Sequence, residues 1–119
     1  MIMPISAVSN QTKPTFKGAV KNTEFLNNFL NHFTKSDKIR WDTVKHTIEK
    51  SKDNKIYEVS NDVLQIGKTI IKSLVIKEGD SNILAKEVYN ITKGGSVHLF
   101  SRESAIRTIL ETFETLYGK

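Results

Sequence analysis

Cysteine is absent from the 119-residue sequence. Its absence excludes disulfide bonds, thiolate catalysis, zinc–thiolate sites and iron–sulfur clusters. A cysteine-free chain also does not depend on an oxidising compartment, and we therefore expect a cytoplasmic protein.

Long apolar segments are also missing. No run approaches the roughly 20 apolar residues that a transmembrane helix requires. The first eight residues are interrupted by Pro4 and lack both the basic start and the apolar length of a signal peptide. The sequence therefore predicts no membrane span and no secretion signal.

Arginine is scarce, with three residues against fifteen lysines. Together with the abundance of asparagine and isoleucine, this bias suits an AT-rich bacterial gene. The net charge of +5 is unevenly distributed, because residues 1–55 hold ten basic and five acidic residues whereas residues 56–119 hold eight of each. The excess positive charge in the first half is a first indication of a nucleic-acid surface.

The first half of the chain predicts a tail followed by two helices. Residues 1–14 have no hydrophobic period and predict a flexible tail, so that residues 15–119 form a single domain. Thr15 to Val20 are compatible with a short edge strand. Thr23 is suited to cap a helix whose apolar face carries the phenylalanines at positions 25, 29 and 33. A second helix, around residues 40–51, is indicated by the shared face of Trp41, Val44 and Ile48.

The second half predicts short strands and a last helix. Strand candidates are residues 56–59, 63–66, 69–78, 83–92 and 97–100. The segment 69–78 is apolar on both faces, which predicts a central strand covered on both sides. Residues 82–92 leave a helix open as an alternative, because Ala85, Lys86 and Glu87 favour one. A helix from Ser101 to Tyr117 follows, with one apolar stripe.

This order of elements predicts an α+β domain. Its expected architecture is an antiparallel β-meander of about three to five strands, packed by two N-terminal helices and one C-terminal helix. Glycines in the connections at residues 79 and 94–95 support the meander.

The sequence contains no convincing catalytic or metal-binding pattern. Gly67, Lys68 and Thr69 resemble the end of a phosphate-binding loop, but Asp62 stands where that loop requires a glycine. The nucleophile elbow of serine hydrolases is missing, and His46 with Glu49 supplies only two of the ligands that a metal site needs. We therefore predict a non-enzymatic protein without catalytic residues, cofactor, metal site or evident small-molecule ligand.

Three functional readings remain open. The leading one is a small protein-interaction domain of unknown role, acting on a protein partner or as a homo-oligomer. The alternative is a basic nucleic-acid-binding domain that contacts phosphates through its lysine-rich first half. The residues for such contacts are Lys17, Lys21, Lys35, Lys38, Arg40 and Lys45. A third reading, an enzyme, requires a pocket lined by His98, Tyr57 or Tyr89 with carboxylates nearby.

Overall fold

The computed structural model describes residues 18–117. The predicted tail of residues 1–14, Lys17 and the start of the predicted edge strand lie outside this range. The elements in chain order are β1 (Ala19–Val20), α1 (Glu24–Leu30), α2 (Lys35–Lys50), β2 (Ile56–Ile66), β3 (Thr69–Glu78), β4 (Asn82–Lys93), β5 (Ser96–Phe100) and α3 (Arg102–Tyr117).

The five strands form one sheet in the order β1-β2-β3-β4-β5. Strands β2 to β5 are an antiparallel meander, and the short β1 pairs in parallel with the start of β2, so the sheet is mixed. The predicted α+β class, with a meander, two N-terminal helices and one C-terminal helix, is confirmed. Within residues 18–117, no helix is long and apolar enough to cross a membrane.

Helix α2 begins five residues earlier than its apolar spacing predicts. Thr34 accepts a hydrogen bond from the Asp37 backbone N–H at 3.1 Å, and the Asp37 carboxylate accepts one from the Thr34 backbone N–H at 3.2 Å. These reciprocal bonds satisfy two backbone donors at the helix start. The capping box therefore fixes the first turn, although that turn carries no buried apolar residue.

The two short strands predicted at residues 56–59 and 63–66 form one continuous strand. Residues 56–59 and 63–66 belong to the continuous strand β2, and the polar Ser60, Asn61 and Asp62 between them pair with β3. Residues 82–93 are a strand, which decides against the helical alternative. Its pairing with β3 on one side and β5 on the other outweighs the local helix preference of residues 85–87.

All three helices pack on the same face of the sheet. Their buried side chains join those of Tyr57, Val59, Leu74 and Ile76 in one core cluster. Because paired residues of antiparallel strands point to the same side, these four residues share a face. The prediction that residues 69–78 form a central strand buried on both sides is confirmed at residues 73–76, which are at most 5% exposed on either face. The described helices lie on one face only, and Thr69 and Ile71 at the start of the strand are half-buried on the other face.

Phe113 of α3 lies at the centre of this core and is fully buried. Its ring centroid is 5.6 Å from that of Trp41 and 5.3 Å from that of Tyr57, both in edge-on contacts. The Tyr57 hydroxyl is 2.5 Å from the Tyr117 hydroxyl, which donates to Asp53 at 2.9 Å. Burial raises the pKa of both tyrosines above the ordinary value of 10, because it disfavours the charged phenolate.

Gly18 allows the chain to pass close to the end of α2. A Cβ atom at this position would lie 2.7 Å from the carbonyl oxygen of Ile48, well inside van der Waals contact. The backbone N–H of Gly18 donates to the Ser51 carbonyl at 3.2 Å. The absence of a side chain therefore permits β1 to reach the edge of β2 beneath the helix.

An ion pair joins α2 to α3. The Arg40 guanidinium donates to both oxygens of Glu114, at 2.6 and 2.9 Å. These hydrogen bonds, together with the positive charge of Arg40, hold the pKa of Glu114 below its ordinary value of 4.5. Both side chains remain partly exposed, so solvent screens the pair and its contribution to stability is modest.

We expect Phe113→Ala to lower the free energy of unfolding by about 3–5 kcal/mol, because it removes a fully buried ring and leaves a cavity. The matched control is Leu116→Ala in the same helix, whose side chain is 47% exposed. Chemical denaturation followed by circular dichroism measures both variants. Equal losses of stability would contradict the assignment of Phe113 to the core.

We expect Glu114→Gln to destabilise the protein at neutral pH by about 1 kcal/mol or less. Because the pKa of Glu114 is lowered by folding, its contribution is complete above pH 4.5 and is lost as the pH falls through the lowered pKa. The difference between wild type and variant should therefore vanish in strong acid. Denaturation across this range tests it, with the exposed Glu49→Gln as control; a difference that persists in acid would refute the ion-pair explanation.

Candidate functional site

The open face of the sheet carries a line of apolar side chains across four strands. Leu64 of β2 pairs with Ile71 of β3, Ile71 pairs with Ile91 of β4, and Ile91 pairs with Leu99 of β5. Directly paired residues point to the same side of an antiparallel sheet. These four residues, called here the apolar row, therefore lie next to one another on the face opposite the helices.

The apolar row is accessible to solvent. Leu64 is 52% exposed and Leu99 is 40% exposed, while Ile71 and Ile91, in the inner strands, are half-buried. Two further exposed side chains extend the row along the strands on the same face, Val88 on one side and Ile66 on the other. A contiguous exposed apolar patch of this kind is typical of a surface that binds another macromolecule.

The helix side of the sheet is less uniformly apolar over the same part of the strands, at the end of β2, the start of β3 and the end of β4. Val63 pairs with Lys72, and Gln65 pairs with Ile70, so polar and apolar side chains alternate there. Asn90 and Thr92 continue these two rows into β4. Of the two faces, the open one therefore presents the more continuous apolar surface.

Charged side chains border the apolar row on the open face. The Nζ atom of Lys86 is 3.3 Å from a carboxylate oxygen of Asp62. This ion pair spans β3, where Ser73 is the partner of Asp62 and Val75 is the partner of Lys86. Ser73 and Val75 themselves are only 4% and 5% exposed. The polar border and apolar centre resemble the arrangement of a protein–protein interface.

The basic residues predicted to contact nucleic acid are only partly brought together. Lys35, Lys38 and Lys45 are exposed on α2, and Lys21 and Lys45 line the same groove beside Trp41. The Nζ atom of Lys21 is 3.6 Å from a Glu58 carboxylate oxygen. Arg40 is bound to Glu114, and Lys17 lies outside the described residues. Nucleic-acid binding through these side chains stays a prediction.

The residues named for an enzymatic pocket are separated. Tyr57 is buried in the core, whereas His98 is exposed on the edge strand β5. Tyr89 is buried beneath α1 and donates a hydrogen bond to Asn61 at 2.9 Å. Among residues 18–117, no cluster of three or more histidine, aspartate or glutamate side chains is placed to hold a metal ion.

The sequence does not predict the apolar row, because apolar residues on both faces of β3 indicate a strand that is covered on both sides. The sequence shows the alternation of apolar residues along the strands, but it does not show which face of the sheet the helices cover.

Comparison of the chain with protein-family models, with curated proteins and with solved structures found no significant match.

Proposed function

We propose that this chain is a small non-enzymatic protein-interaction domain that assembles with a second copy of itself through the open face of the sheet. The observation that supports the proposal is the apolar row, which crosses four strands without a charged or polar interruption. Two sheets that pack face to face bury such rows against each other, about 10 Å apart.

The size of the open face suits a dimer. With about 4.8 Å between strands and 3.3 Å per residue, three strands of about ten residues and the shorter β5 give a flat footprint of roughly 550 Å². A standard interface buries about 800 Å² of accessible surface on each partner, and side-chain relief makes accessible surface larger than a flat footprint. The whole face, with its charged border, is therefore close to the area that a stable dimer needs.

The charge of the open face also favours a second copy. The full chain carries a net charge of +5, which opposes self-association. On the open face, however, Glu58 and Asp62 are each paired with a lysine, Glu58 with Lys21 and Asp62 with Lys86, so that Lys77 and Lys93 carry the remaining charge of strands β2 to β4 there. Two copies that meet through this face therefore bring together surfaces of low net charge, while the basic helix α2 lies on the opposite side of each sheet.

A non-enzymatic role is supported by the groove that Tyr89 lines, because no aspartate or glutamate among residues 18–117 lines it. We propose the bacterial cytoplasm as the working compartment, because the cysteine-free, lysine-rich sequence suits it. A two-fold arrangement is the simplest assembly for such a surface, since the same patch serves both subunits.

We expect the wild-type protein to show a concentration-dependent mass that approaches twice the 13.5 kDa of one chain. Leu64→Glu should weaken the dimer by at least about a hundredfold, because the interface would bury an unpaired carboxylate from each subunit. Size-exclusion chromatography with light scattering, or analytical ultracentrifugation, measures this change. Because Leu64 is already half exposed in the single chain, the variant should keep its fold.

The chain offers a close control in the neighbouring residue. Val63 is 53% exposed, almost the same as Leu64, but it points to the helix side of the same strand. Val63→Glu should therefore leave the dimer intact. A wild-type protein that stays monomeric at millimolar concentration would refute self-association, and equal effects of the two variants would show that the open face is not the interface.

A further inference from the structure

A groove with an aromatic floor lies on the helix side of the sheet, between α1 and the start of α3. Its floor is formed by Phe25, Phe29, Tyr89 and Phe100, and its volume is about 310 Å³. We call it the aromatic groove. It lies on the other side of the sheet from the apolar row, so it does not belong to the interface proposed above.

The aromatic side chains of the groove are held in place by one another. The ring centroids of Phe25 and Phe29 are 5.0 Å apart, and those of Phe29 and Tyr89 are 5.6 Å apart, both nearly perpendicular. Tyr89 is fixed further by the hydrogen bond from its hydroxyl to Asn61. A bound apolar ring would therefore meet a preformed surface, which lowers the entropic cost of binding.

The polar side chains that line the groove are Asn28, His32, Asn61 and Arg102, and of these Arg102 is the one that is always charged. Arg102 lines the groove, and its guanidinium carbon lies 5.3 Å from the centroid of the Phe100 ring. Among residues 18–117, no acidic side chain lines the groove and none makes an ion pair with Arg102. The guanidinium is thus free to bind a carboxylate through two parallel hydrogen bonds.

A second groove continues beyond Arg102 and has a different charge. It also contains Arg40 and Arg107, but Asp37 and Glu103 line it as well. Arg40 is already bound to Glu114. In this second groove, the carboxylates of Asp37 and Glu103 compete with an anionic ligand for the arginines. An anionic ligand is therefore favoured in the aromatic groove, on the other side of Arg102.

We propose that the aromatic groove binds a small organic monocarboxylate that carries one apolar ring. The ring contacts the aromatic floor, and the carboxylate accepts hydrogen bonds from Arg102. A volume of about 310 Å³ is at the small end of the range for small-molecule pockets, which suits a ligand with one ring and a short acidic side chain. Asn28 and Asn61 also line the groove, and their amide groups can donate further hydrogen bonds to the same carboxylate.

The test uses 3-phenylpropanoate as the probe and two-dimensional ¹H–¹⁵N NMR of the full chain as the readout. We expect saturable shifts in the amide signals of Phe25 to His32 and of Phe100 to Arg102. A dissociation constant of about 1 mM is expected for a ligand of this size. The uncharged 3-phenylpropanamide should bind at least about tenfold more weakly, because it cannot form the charged pair with Arg102.

Variants of two arginines in the same helix separate the groove from a general charge effect. Arg102→Gln should weaken binding of 3-phenylpropanoate by at least about tenfold, and Arg102→Lys should restore part of it. Arg107→Gln removes the same charge one and a half turns further along α3, outside the aromatic groove, and should change the affinity less than twofold. The NMR spectra of the free variants report whether each is folded.

Three results would overturn the proposal. They are the absence of saturable shifts at tens of millimolar probe, equal binding of the acid and its amide, and tighter binding of a peptide ending in phenylalanine than of the free acid. The last result would assign the groove to a protein partner. Leu64→Glu should leave probe binding unchanged, so failure of the dimer and failure of the groove are distinguishable.

Discussion

Phe113, from the last helix, packs between Trp41 of α2 and Tyr57 of β2, and this contact joins the two halves of the chain. Each helix turns its apolar stripe toward this point, and all three stripes meet one face of the sheet. Nothing in the described chain remains to cover the other face. The open surface is therefore a direct result of how the core is built.

Much of the fold follows from the sequence because the apolar spacing is regular. The stripe of α3 and the run of apolar residues in β3 identify those elements without ambiguity. The early start of α2 was missed because its first turn has no apolar residue, although Thr34 and Asp37 stand at the spacing of a capping box. Apolar period and capping are separate signals, and at the start of α2 only the capping residues mark the first turn.

The continuity of β2 was missed for a different reason. Ser60, Asn61 and Asp62 look like a loop because polar residues with low strand preference interrupt two apolar runs. Their partners lie far along the chain, with Tyr89 donating to Asn61 and Lys86 pairing with Asp62. Such contacts exist only once β4 is in place, so local sequence cannot reveal them.

The apolar row depends on register, which the sequence does not display. In β4, Val88 pairs with Ser73 and Asn90 pairs with Lys72, so a bulge leaves Tyr89 without a partner in β3. In β5, a bulge between Val97 and Leu99 leaves His98 without a partner in β4. With regular pairing from the neighbouring residues, Ile71 would stand opposite Asn90 and Ile91 opposite His98. Two inserted residues thus decide whether the face presents an apolar row or a polar one.

The long strands also extend beyond the layer of helices. Tyr57 and Val59 near the start of β2 are fully buried, whereas residues 61–66 at its end are all exposed. The outer ends of the hairpins are held by backbone hydrogen bonds with little packing beneath them, so they open at a lower free energy than the inner ends of the same strands. Hydrogen exchange within a single strand will accordingly divide into a slow inner half and a fast outer half.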